Sequence, residues 1–127
     1  MKVEKINHVA IMVKDLDEAG RFFSDLLNIK FKGPNEAKEA DVKNLMSDVG
    51  IELVAPLSPD RPAAKTLERR GEGLATLVLK VANLEQAIAH MQARGVRMIG
   101  RANLPTAKTA QFHPKDLHGV MIEGCVP

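Results

Sequence analysis

Residues 6–13, Ile-Asn-His-Val-Ala-Ile-Met-Val, are rich in apolar and β-branched side chains and read as a strand. Side chains on a strand alternate between faces. Val9, Ile11 and Val13 therefore share one face, suited to packing on a helix, and Ile6, His8, Ala10 and Met12 share the other. The period then changes. Asp15 is placed to cap a helix, with Glu18 three positions on in a capping-box arrangement. Leu16, Ala19, Phe23, Leu26 and Leu27 recur at helical spacing, and Asn28 supplies a C-terminal stop.

The scheme recurs 68 residues further on, from Val9 to Leu77. Leu77, Leu79 and Val81 take the places of Val9, Ile11 and Val13. Asn83 stands for Asp15, with Gln86 at the Glu18 position. Leu84, Ala87, Ile88 and Met91 form the apolar stripe, which Gly95 ends. In this register Thr76 stands where His8 stood. Shorter strands are expected over 41–46 and 50–54 in the first half, and over 97–100, 109–112 and 120–124 in the second.

Both halves close alike, with Gly-Ile-Glu-Leu-Val and Gly-Val-Met-Ile-Glu, so the terminal strands carry Glu52 and Glu123. Glu52 lies between Ile51 and Leu53 and points to the face opposite theirs. Glu123 follows Ile122 and shares a face with Met121. A carboxylate among apolar strand residues is costly unless it has a partner or stays wet. Two of them at matching points of a repeat, with His8 in the set, imply a common destination. The predicted fold class is α+β: two tandem βαβββ modules forming a curled mixed sheet with an internal cleft lined by His8, Thr76, Glu52 and Glu123. Each module alone is too small for a comfortable core. One domain over residues 1–127 is therefore expected, with module one at 1–56, a linker at 57–73 and module two at 74–127.

Composition narrows the function classes. With 127 residues, 45 % apolar and 27 % charged, the chain suits one compact domain and not a disordered segment. No apolar run approaches the ~20 residues of a membrane span. The opening residues lack a long apolar stretch, so no signal peptide is expected. The single cysteine, Cys125, cannot form an internal disulfide and lacks partners for a zinc site, which favours the cytoplasm. Net charge is +2 with scattered basic residues, and four phenylalanines are the only aromatics. Nucleic acid is therefore not an expected partner.

Three stretches, "INHVAIMVKDLDEA", "IELVAPL" followed by "AAKTLERRGEGL", and "FHPKDLHGVMIE", resemble the vicinal oxygen chelate superfamily. That superfamily includes glyoxalase I, extradiol dioxygenases, fosfomycin and bleomycin resistance proteins, and methylmalonyl-CoA epimerase. The stretches are most similar to the epimerase branch. The resemblance implies a divalent metal (Co, Zn, Ni or Mn) held by His8, Glu52 and Glu123. The branch has two histidines after "GEGL"; here Ala75 and Thr76 stand there, and Thr76 occupies the ligand place. A threonine hydroxyl is a weak ligand, although three protein ligands plus water is a known catalytic arrangement.

The branch's acid/base glutamate falls at Lys43 in "DVKNLMS", so the implied catalytic set is Glu52, Glu123 and Lys43. Asp41, two residues earlier, and Glu52 itself are the substitutes for Lys43. The implied chemistry is metal-assisted proton transfer alpha to the carbonyl of an acyl-CoA thioester. Arg61, Lys65 and Arg69 recur every four residues on a short linker helix and suit coenzyme A phosphates, a solvated basic face being the plain alternative. Superfamily members commonly form homodimers. Two other readings stand beside the epimerase. A metal-free, resistance-type ligand-binding protein is favoured by Thr76 and Lys43. A glyoxalase-type lyase or isomerase would retain the metal. Of the remaining histidines, His90 is expected on the surface, His118 in a turn, and His113 in a structural or substrate-facing place.

Overall fold

In a computed structural model describing residues 1–127, the chain runs β1 (Val3–Met12), α1 (Leu16–Leu27), β2 (Phe31–Ala37), β3 (Val42–Ser47), β4 (Ile51–Pro56) and α2 (Pro62–Arg70). It continues as β5 (Gly73–Val81), α3 (Leu84–Ala93), β6 (Met98–Asn103), β7 (Lys108–Phe112) and β8 (Met121–Val126), with a single 3₁₀ turn at Pro114–Asp116 before the last strand. The class is α+β, and the element order is the tandem βαβββ scheme with α2 between the repeats. No helix is long and apolar enough to cross a membrane.

Residues Ala10–Leu74 form one compact unit. Its strands β2, β3 and β4 pair antiparallel in that order. Asp15 caps α1, its side chain accepting from the Glu18 amide, because the first helical N–H groups have no partner of their own. Asn28 ends the helix in the left-handed conformation that asparagine tolerates. Val13, Leu16, Leu53 and Ala55 make the core, with Ile11, Ala19, Phe23, Leu45 and Ile51 packed around them. Gly20 permits the close approach of helix to sheet, since a methyl there would stand 2.6 Å from Leu45 Cδ1.

Two features depart from the pattern reading. The apolar stripe of α1 stops packing at Phe23, and Leu26 and Leu27 in the last turn are exposed. The βαβββ scheme requires a strand after α1, but the residues of β2 do not read as one. Strand β2 contains Gly33, Pro34 and Asn35, all turn formers, and its register shifts between Lys32 and Asn35. At the outer end of the order β2-β3-β4, a proline removes no ladder hydrogen bond that a further strand would need.

The second compact unit joins Met1–Val9 to Ala75–Pro127. Here β5 pairs parallel with β8, and β8, β7 and β6 follow antiparallel. Lys2 accepts from the Ala82 amide, tying the first residues to the end of β5. Asn83 repeats the role of Asp15, accepting from the Gln86 amide at the start of α3. Gly95, at a φ of +82°, takes the conformation that closes this helix. Leu84, Ala87 and Ile88 of α3 bury against Val81, Ala110 and Phe112. Gly124 lies beneath, where an added methyl would meet Leu84 and Val81.

Candidate functional site

Strand alternation decides which residues face away from the helices. In β4, Ile51, Leu53 and Ala55 enter the core that α1 covers, so Glu52 points to the other face. Pairing places Met46 opposite Glu52 and Asn44 opposite Val54, so Asn44 and Met46 share the Glu52 face. The Asn44 side-chain amide donates to Glu52 Oε2 at 2.6 Å.

In β8, Ile122 pairs with Phe112 and Gly124 with Ala110, both on the α3 side. Glu123 pairs with Gln111 and Val78 on the opposite face, together with Thr76 opposite Met121. The Gln111 side-chain amide donates to Glu123 Oε1 at 2.9 Å. Cys125, two residues on, is buried, and burial together with the Glu123 charge pushes its thiol pKa up. It stays protonated at neutral pH and is a poor ligand or nucleophile there.

His8 is half-buried, with Nδ1 2.6 Å from Asn7 Oδ1. An imidazole that donates from Nδ1 to this oxygen keeps Nε2 as its ligating nitrogen. Metal-ligating histidines are oriented by a hydrogen bond of this kind on the second nitrogen. His8, Glu52 and Glu123 thus each carry a carboxamide partner. His8 and Glu123 lie in one compact unit and Glu52 in the other. No cluster of three or more His, Cys, Asp or Glu side chains forms a ready-made ion cage. The donor chemistry, one imidazole and two carboxylates, is of the kind that divalent cations take.

The proposed bases fare differently. Lys43 lies on the face of β3 that carries Leu45, opposite buried Ala55, and so on the α1 side of the strand. Its neighbours Val42 and Asn44 are the residues that face the Glu52 side there. Asp41 is buried at the start of β3, where its two oxygens accept from the Ser58 hydroxyl at 2.9 Å and the Ser58 amide at 3.2 Å. It anchors the chain after β4. Glu72 of the "GEGL" stretch accepts from the Lys14 amide at 2.9 Å, a structural tie between the end of β1 and the start of β5.

Arg61 occupies the N-cap position of α2 without a side-chain capping hydrogen bond, and Lys65 and Arg69 lie along the helix; all three are exposed. His113 turns its Nδ1 to the Lys115 amide and caps the 3₁₀ turn. His118 adopts a positive φ in the turn before β8. Asn7, Asn44 and Gln111 were not visible as site residues in the pattern. Finding the last two requires strand register, which depends on pairing and not on local periodicity.

A family described as "Glyoxalase/Bleomycin resistance protein/Dioxygenase superfamily" matches residues 7–112. The mitochondrial methylmalonyl-CoA epimerase of Bos taurus is 29% identical over 126 residues, covering 94% of this chain and 72% of that protein. The uncharacterized protein YqjC of Bacillus subtilis is 26% identical over 131 residues, covering 98% of this chain and 94% of its own. Among solved structures, the methylmalonyl-CoA epimerase of Mycobacterium tuberculosis superposes with a TM-score of 0.88 at 28% identity, over 98% of this chain and 89% of that one.

Proposed function

The chain belongs to the glyoxalase/bleomycin resistance protein/dioxygenase superfamily, and from that premise we propose that it is an epimerase-type enzyme acting on an acyl-CoA thioester. The observation that carries this reading is the pairing of Glu52 and Glu123 with carboxamide donors on matching strands, each on the face its helix leaves uncovered. The likeness to methylmalonyl-CoA epimerases over most of the chain supports the substrate class.

His8, Glu52 and Glu123 would hold a divalent cation, through His8 Nε2 and carboxylate oxygens. When bound, the cation supplies positive charge to stabilise an oxyanion on the substrate's carbonyl. The residues of this chain do the rest. Glu52 takes the proton from the carbon between the thioester and the second carboxyl-bearing group. A proton delivered from solvent to the opposite face of that carbon completes the epimerisation, and Glu52 gives its own proton back to solvent, so no atom is gained or lost. With Lys43 turned to the α1 side, the base falls to a carboxylate. Arg61, Lys65 and Arg69 on α2 would meet the coenzyme A phosphates. In this reading the two repeats, residues 1–56 and 74–127 with the linker 57–73, act as one domain.

A second reading is favoured by Thr76. Its hydroxyl, where the branch has imidazole, is a poor ligand, and a resistance-type protein that only binds its ligand would not need one. Incubation with methylmalonyl-CoA and Co²⁺ in D₂O separates the two. The enzyme reading expects deuterium at C2, with Glu52→Gln lowering the rate by about 100-fold or more. Ligand binding with no deuterium uptake would establish the second reading instead.

A further inference from the structure

The carboxamides point beyond the ligand set. In each repeat, the third strand carries a carboxamide whose N–H₂ group reaches the glutamate of the fourth: Asn44 of β3 to Glu52 of β4, and Gln111 of β7 to Glu123 of β8. The two pairs reach the same result by different routes. Gln111 stands directly opposite Glu123 in the ladder, whereas Asn44 stands opposite Val54 and reaches Glu52 diagonally. Equivalent contacts made with different side chains in different registers are more than a trace of duplication. The local structure also makes room for one of them. Gly100 of β6 lies opposite Gln111, and a methyl there would stand 3.0 Å from Gln111 Oε1. The bare backbone at Gly100 lets the Gln111 oxygen settle beside β6 while its nitrogen faces Glu123.

We infer that Asn44 and Gln111 are positioning residues, which fix the Glu52 and Glu123 carboxylates in the orientation used for ligation. The inference rests on the ligand reading given above. A glutamate on a strand has three side-chain torsions to fix, and a hydrogen bond donated by a packed neighbour takes away part of that freedom before the ligand arrives. Asn44 is half-buried with Met46 beside it on the strand face, and Gln111 is half-buried between β6 and β8, so neither donor is a mobile surface group.

The test is Co²⁺ titration by calorimetry on the full chain, with the thermal midpoint of the metal-free protein measured alongside. Asn44→Leu and Gln111→Met keep shape and remove the donor. Each is expected to weaken Co²⁺ binding by roughly 10- to 100-fold, the usual cost of losing a partner that orients a ligand, while the midpoint moves by only a few degrees. Asn44→Gln retains a donor and is expected to recover most of the affinity. Gly100→Ala, which crowds Gln111 without removing it, is expected to weaken binding in the same direction. Wild-type protein that binds Co²⁺ alongside variants of unchanged affinity would overturn the positioning role alone. So would a fall in midpoint that accounts for the whole effect. Wild-type protein that binds no Co²⁺ would overturn the ligand reading and this inference with it.

Discussion

In the proposed metal site, Thr76 is the residue on which affinity would turn. It lies on the face of β5 that continues to Val78 and, across the ladder, to Met121 and Glu123. An imidazole at this point would add a strong nitrogen donor on the same face as Glu123. Thr76→His is therefore expected to raise Co²⁺ affinity by about tenfold or more, measured by titration. An unchanged affinity would place residue 76 away from the ion. The carboxylates and the histidine were legible in the sequence because each interrupts an apolar strand, which is a local signal. Asn44 and Lys43 were not separable in that way. A shift of one residue moves every side chain of a strand to the other face, and only the pairing of Lys43 with Ala55 and of Asn44 with Val54 fixes the phase.

At the scale of elements, caps and breaks were read where a single residue decides them. Asp15 and Asn83 cap their helices as the repeat implies. Strand β2 escaped because Gly33 and Pro34 carry a turn's chemistry, and an outermost strand can keep them. The 3₁₀ turn is held by another element-level tie. Asp116 accepts from the Arg97 amide and from its guanidinium, which joins the turn to the residue just before β6. The Arg97 side chain, then its backbone amide, hold the Asp116 carboxyl at about 2, below the usual 3.8. The folded form therefore binds its proton more weakly than the unfolded chain. The stabilisation is whole above pH ~4 and is lost as pH falls towards ~2. Asp116→Asn is expected to flatten that part of the stability-against-pH curve, followed by urea unfolding. A curve with the wild-type acid slope would assign the slope to other carboxylates. Both side chains retain solvent contact, which keeps the effect modest.

At the scale of the whole molecule, sequence repeat and compact unit divide the chain differently. The repeat begins with β1, yet Met1–Val9 packs with Ala75–Pro127, and Ala10–Leu74 forms its own core. Periodicity reports which residues are alike and not which will pack together, so this grouping was not readable from one sequence. It places His8 with Glu123 and Thr76, while Glu52 and its partner Asn44 belong to the other core. The proposed function needs both halves to serve one ion. Equilibrium dialysis of the purified chain against Co²⁺ tests this most directly, with His8→Ala, Glu52→Gln and Glu123→Gln compared in parallel. One tightly bound ion per chain, weakened at least tenfold by each of the three replacements, is the expected result. Retention of the ion by all three variants, or failure of the unaltered chain to bind it, would contradict the account.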